Sequence, residues 1–202
     1  MVQRKALLAM VTLALAFAGS GCIFSPNTPP APPPPPVTVP LADTPDQLMA
    51  NFKTAYSGMK IDDYRTVLHP QYQFILRAAD VPAGQSDRFT YAEELHVAEN
   101  MFSGNAVQKP DGTTAPGISS ITVAVLTRSQ PWSDVGASDP DFPLTKRSLY
   151  EIQISFARAG YNTIIVTGSQ EFFVSARDSL LTGGVHKPFY QLRGQRDLSN
   201  GT

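Results

Sequence analysis

Cysteine is nearly absent: Cys22 is the one thiol in 202 residues. An internal disulfide and a cysteine-based zinc cluster are thereby excluded. Charge is sparse too. Sixteen basic and 17 acidic residues give a formal net charge of -1. That leaves no basic field for nucleic acid and no acidic tail. The 3 histidines, His69, His96 and His186, are far apart and share no ligand spacing, so the sequence offers no metal site. No Gly-x-Ser-x-Gly elbow, no phosphate-binding Gly-Lys loop and no second thiol nucleophile is present, and no motif asks for a cofactor.

What is present begins with a short basic head, Arg4 and Lys5, followed by an apolar run over residues 6–18 and then Gly19-Ser20-Gly21-Cys22. The run falls short of the about 20 apolar residues of a spanning helix. Head, short apolar segment and small residues define a secretory signal. The placement of Cys22 resembles the lipobox of bacterial lipoproteins, with Gly19 where Leu is commoner. The competing reading is an ordinary cleaved signal with a chance cysteine. The resemblance implies a signal peptide over residues 1–21, lipidation of Cys22 and a membrane partner through that lipid. Ile23, in place of the Asp that favours inner-membrane retention, points to the outer membrane facing the periplasm.

Residues 25–40 hold half of the 18 prolines, including an unbroken run from Pro32 to Pro36. Proline fixes φ and removes a donor, so this stretch joins no sheet or helix core. As polyproline II it spans on the order of 50 Å. A stalk is the preferred reading over a docking motif for an SH3-like groove, because no basic residue flanks the run. Residues 22–43 thus form a lipidated tether and residues 44–202 a folded domain.

In that domain Thr44-Pro45-Asp46-Gln47 predicts a capped helix start, with Leu48, Phe52, Tyr56 and Met59 at helical spacing. A second, short helix runs over residues 61–68 and stops at His69-Pro70. Asp62 and Asp63 suit its positive N-terminus. Tyr72, Phe74 and Leu76 alternate as a first strand. Thr90 with Glu93 caps a third helix ending near Phe102, whose stripe is Tyr91, Leu95, Ala98 and Phe102. Residues 118–129 form a strand with Ile121, Val123 and Val125 on one face. Residues 150–157 and 164–176 form a long hairpin, and residues 189–198 a last strand. Period two sets Tyr150, Ile152, Ile154 and Phe156 opposite Glu151, Gln153 and Ser155. Helices first and strands last give an α+β fold, a curved antiparallel sheet carrying three helices.

Three pieces of this pattern resemble the NTF2-like superfamily, the cystatin-like cone that includes SnoaL-type cyclases and ketosteroid isomerases. They are the capped helix over residues 48–56, the segment from Lys60 to Phe74, and the closing strand from Phe189 to Asp197. The resemblance implies three N-terminal helices packed on the sheet, a cavity inside the cone, and homodimers through the sheet. It names no activity. The isomerases' general base would fall near Leu76, which cannot abstract a proton, and their phenol near Thr54, not Tyr56.

Candidate cavity residues are Tyr56, Tyr64, Tyr72, Phe74 and Phe102, although aromatics at such spacing are more often plain core. Glu151, Tyr190 and Arg193 are its polar candidates if they turn inward. An exposed cross-strand set, with Glu151 beside Arg193, is the favoured arrangement. The expected function is a non-catalytic module in the cell envelope, binding a small apolar ligand or an envelope protein. A small-molecule enzyme of the SnoaL or dehydratase type is the alternative.

Overall fold

The computed structural model describes residues 38–81, 83–109, 111–180 and 186–199. Cys22, the signal segment and the tether up to residue 37 lie outside them. Helix α1, Pro45–Ser57, starts as its sequence requires: the Thr44 hydroxyl accepts from the Gln47 N–H at 3.1 Å, and Pro45 occupies the first turn. It buries Leu48, Met49, Phe52 and Ala55. Helix α2, Ile61–Val67, is followed at once by strand β1, Leu68–Ile75. His69-Pro70 therefore ends the helix by opening a strand. Strand β2, Arg88–Thr90, leads into helix α3, Tyr91–Phe102, whose capping box pairs Thr90 and Glu93 reciprocally.

The remaining elements are strands. Val107–Gln108 (β3) and Thr114–Ala115 (β4) form a separate two-stranded hairpin. Then come β5 (Ile118–Arg128), β6 (Ser133–Asp134), β7 (Lys146–Arg158), β8 (Tyr161–Leu180) and β9 (His186–Asp197). The main sheet runs β2-β1-β9-β8-β7-β5, with β6 added to β7.

The sheet is mixed, not antiparallel throughout: β1 lies parallel to β9. Alternation along a strand fixes which face each side chain takes, whereas direction is fixed only for strands joined by a tight turn. Strands β7, β8 and β9 follow one another as hairpins and are antiparallel; β1 reaches β9 from the far end of the chain. The β1–β9 ladder is irregular between Leu68 and Gln73, around the missing donor of Pro70.

A bulge also changes β5. Val123 pairs with Ile154, but Val125 pairs with Gln153 and Leu126 with Ile152. The extra residue, Ala124, swaps the alternation. Leu126, not Val125, packs against the core.

One face of the sheet meets the helices in a core that includes Phe52, Tyr64, Tyr72, Tyr150, Ile152, Phe172 and Leu192. The opposite face carries a smaller cluster in which Ile75 of β1 and Phe173 of β8 are covered by Phe142, from residues 131–145. The Phe142 and Phe173 rings stack at 4.2 Å, and Arg196 lies over both. Arg196 also bonds Glu171 at 3.0 Å and Asp141 at 3.1 Å, and Arg88 bonds Asp141 at 2.7 Å. The loop is thus fastened by rings beneath and charges around its rim.

The folded part begins before Thr44. The Asn51 amide donates to the Pro40 carbonyl at 2.7 Å, the Tyr190 N–H donates to the Ala42 carbonyl at 2.8 Å, and Ala42 is buried. Asp63, buried on α2, takes the Thr38 N–H at 2.5 Å and the Thr38 hydroxyl. Burial alone would raise its pKa; these donors, the Val39 N–H and the charge of Lys60 hold it below the usual carboxylate range. The end of the proline-rich stretch is therefore docked, and Asp63 serves as its anchor.

Gly194 sits where β9 bulges against β8, and a Cβ there would lie 2.0 Å from Cε1 of Phe142. Gly194→Ala should displace Phe142 and loosen the loop. At about 1–3 kcal/mol for overpacking and about 2–4 °C per kcal/mol, the melting temperature followed by circular dichroism should fall by roughly 2–12 °C. An unchanged value would mean that Phe142 is not seated over this glycine.

Candidate functional site

Between α1, α2 and α3 on one side and the inner face of the sheet on the other lies a cavity of about 380 Å³. Strand alternation builds its sheet wall: Ile152, Ile154 and Phe156 from β7, Val166 and Gln170 from β8, Gln195 and Asp197 from β9. Phe74 and Leu76 follow from β1 and its end, and Phe89 from β2. The helices contribute Phe52 and Tyr56 from α1, Tyr64 from α2, and Glu94, Val97 and Met101 from α3.

Most of this wall is hydrocarbon and aromatic ring, which makes its few polar groups informative. The Tyr64 hydroxyl donates to Oε1 of Glu94 at 2.7 Å. Burial raises the pKa of Glu94, against the lowering effect of that hydrogen bond. Burial and then the charge of Glu94 push the Tyr56 and Tyr64 phenols up, so both are held protonated as donors. Gln195 is only 7% exposed, and its Nε2 has no hydrogen-bond partner in the structure. Asp197 accepts the Ser199 N–H at 2.9 Å.

Of the residues singled out from sequence, Tyr56, Tyr64 and Phe74 reach the cavity wall. Tyr72 and Phe102 do not. Tyr72 is buried in the core, its hydroxyl unpartnered. Phe102 packs behind the wall, edge-on to Tyr56 at 5.4 Å. The polar trio stays outside the cavity as well. Glu151 is exposed on the outer face, where the Ser169 hydroxyl donates to its carboxylate at 2.8 and 2.9 Å. It cannot face Arg193, because β8 separates β7 from β9. Arg193, at the bulge of β9, donates to the Gln71 carbonyl. Tyr190 borders a crevice with Pro40, Leu41 and Ala42.

His69 takes the Gln71 N–H on Nδ1 at 3.0 Å, and burial, then Arg193 and Arg177, bring its pKa down to about 4. It is a neutral structural residue. Among the described residues no group of three or more His, Cys, Asp or Glu side chains could hold a metal ion.

Glu94, Gln170, Gln195 and Asp197 are the polar wall residues that the sequence reading missed. For Glu94 a signal exists: it stands three residues after Tyr91 and four before Ala98, inside the apolar stripe of α3. A carboxyl in that stripe must face either the core or a cavity. The position near Leu76, where the isomerases' base would fall, does line the cavity, as hydrocarbon.

Neither a scan against family models nor a search of the curated proteins finds a match. Among solved structures, the chain is similar to a conserved protein from Planctomyces limnophilus DSM 3776. Identity is 12%, over 75% of this chain and 90% of that one, at a TM-score of 0.49. It is similar to an NTF2-like protein of unknown function in nutrient uptake from Rhodospirillum rubrum ATCC 11170. There identity is 10%, over 76% and 96% of the two chains, at a TM-score of 0.42. An NTF2-like protein of unknown function from Burkholderia pseudomallei K96243 is similar at 8% identity, over 77% and 89%, with a TM-score of 0.41. Likenesses this distant identify no activity. The class is set by the chain's own architecture, an α+β domain whose sheet and helices enclose a mostly apolar cavity.

A raised pKa makes the protonated form of Glu94 the better one for folding. Its contribution is complete below the unfolded value and is lost as pH rises through the folded one. Glu94→Gln, which keeps the shape and removes the charge, should raise the melting temperature at pH 8 and change it little at pH 4. A loss of stability at pH 8 would show that the ionised carboxylate is itself needed by the fold.

Proposed function

We propose that the folded part is an NTF2-like, non-catalytic domain that binds a small, largely apolar molecule in this cavity. It is tethered in the bacterial cell envelope through a lipidated Cys22, at the outer membrane facing the periplasm. The cavity carries the reading. Its volume, about 380 Å³, lies within the range of small-molecule sites, roughly 300–1,000 Å³. Hydrocarbon walls with a few convergent polar groups suit a ligand with an apolar body and one polar end. The proline-rich stretch and the lipobox pattern support the envelope location. A homodimer would use the outer sheet face near Glu151 and Ile165, since residues 131–145 cover the Phe173 end.

A second reading, an enzyme of the SnoaL or dehydratase type, draws on Glu94 and Asp197 meeting in one cavity. Burial raises the pKa of Glu94, but no described hydrogen bond joins it to Asp197, and the position near Leu76 carries no base.

N-Phenyl-1-naphthylamine, a neutral fluorophore that brightens in apolar surroundings, probes the cavity directly. The protein should enhance its emission saturably, and Ile154→Trp, which fills the space beside Phe156, should abolish the enhancement. Equal emission with both proteins would place the dye elsewhere and remove the reading.

Cys22→Ser should move the protein from the membrane to the soluble periplasmic fraction. Retention in the membrane pellet would dispose of the lipid anchor.

A further inference from the structure

The charges and rings of the cavity narrow its ligand, on the basis of the binding reading above. Among the described residues its wall holds two carboxyls, Glu94 and Asp197, and two amides, Gln170 and Gln195, and no Lys, Arg or His. Six aromatic rings surround the same space: Phe52, Tyr56, Tyr64, Phe74, Phe89 and Phe156. Four of them form one connected set, with Phe52 stacked on Tyr56 at 5.4 Å and Tyr56 edge-on to Tyr64 and Phe156 at 5.5 and 6.4 Å, and Phe74 stacks on Phe89 at 6.4 Å as a separate pair. Aromatic faces carry negative quadrupole and attract cations, most strongly where water is excluded.

We infer that the cavity takes an organic monocation: an amine or quaternary ammonium group carried on an apolar body of about one ring and a short chain. An anionic ligand would meet two carboxyls and no charged donor. A neutral hydrocarbon would leave Oε2 of Glu94 and Nε2 of Gln195 desolvated without a partner. A cation has partners on every side. Glu94 accepts only the Tyr64 hydroxyl among the described hydrogen bonds, and that bond uses Oε1, leaving Oε2 for an ammonium N–H. Asp197 stands at the end of β9, its described hydrogen bond being the one to the Ser199 N–H. The nearby Arg77 is occupied by Asp80, through bonds of 2.8 and 2.9 Å. Gln195, with its free Nε2, offers a donor to a hydroxyl or carbonyl oxygen on the ligand body.

Three compounds of one skeleton separate charge from shape: 4-phenylbutylamine, 4-phenylbutanol and 4-phenylbutyrate. Each is titrated at pH 7.5 and 150 mM salt against the full chain loaded with N-phenyl-1-naphthylamine, and displacement is read as lost fluorescence. The amine, a cation at this pH, should displace the dye at least tenfold more tightly than the alcohol, and the carboxylate should displace it least. Glu94→Gln should bring the amine down to the alcohol's affinity, and Asp197→Asn should narrow the same gap. Equal displacement by amine and alcohol, or preference for the carboxylate, overturns the inference while leaving the binding reading intact. Preference for the amine that survives both substitutions overturns it too, because the charge would then be read elsewhere. Failure of the dye to bind at all removes both.

Discussion

Phe172 and Phe173 are neighbours on one strand, point to opposite faces of the sheet, and are both buried. A strand can present two successive apolar side chains only if each face is covered by something. That requirement organises the molecule. Phe172 calls for the helices, and meets Phe52 at 5.8 Å and Tyr150 at 5.2 Å. Phe173 calls for a second cover, which residues 131–145 supply through Phe142. Each ring is worth about 1.5–3 kcal/mol of burial, comparable to a sizeable fraction of the stability of a domain this size. The ion pairs around Phe142 are partly exposed, and pairs of that kind contribute little each. They orient the loop; the rings hold it.

The cavity follows from a mismatch of lengths. Helix α1 has 13 residues and at 1.5 Å each spans about 20 Å. Strand β8 has 20 residues and at about 3.3 Å each spans about 66 Å. Helices of that length cannot cover the sheet from end to end. At the Phe172 end, helix and strand meet and the core is solid. Toward the tip of the β7–β8 hairpin the sheet outruns the helices, and Ile164 and Val166 on the helix-facing side stand exposed, at 43% and 41%. The cavity occupies the interval between, its wall running from Phe52 to the exposed Val166.

Much of this was legible in the chain. The caps at Thr44 and Thr90, the alternation from Tyr150 to Phe156 and the order of the main elements are local signals, and the backbone obeys them. What was not legible depends on partners distant in sequence. The parallel neighbour of β1 could not be read, because alternation is blind to strand direction. The bulge at Ala124 has no composition signature, so Val125 and Leu126 exchange faces without warning. Glu151 and Arg193 are both polar residues on well-formed strands, and only strand order reveals that β8 keeps them apart. Thr38 looks like part of a stalk until Asp63, 25 residues later, is seen to hold it.

Glu94 shows why the site escaped a reading that found the fold. Fold signals are agreements: apolar residues recur where a face must be buried, and each one reinforces its neighbours. A site residue is a disagreement, a polar group where the pattern asks for a hydrophobe. In α3 the apolar stripe of Tyr91, Leu95, Ala98 and Phe102 absorbs attention, and Glu94 within it looks like noise. Keeping a carboxyl there costs desolvation, which Tyr64 offsets in part with a single hydrogen bond. A core built for stability alone would have Leu or Met at this position. Glu94 lines the cavity instead, as does Gln195 with its unpartnered Nε2, and under the proposed binding function a ligand would offset both costs.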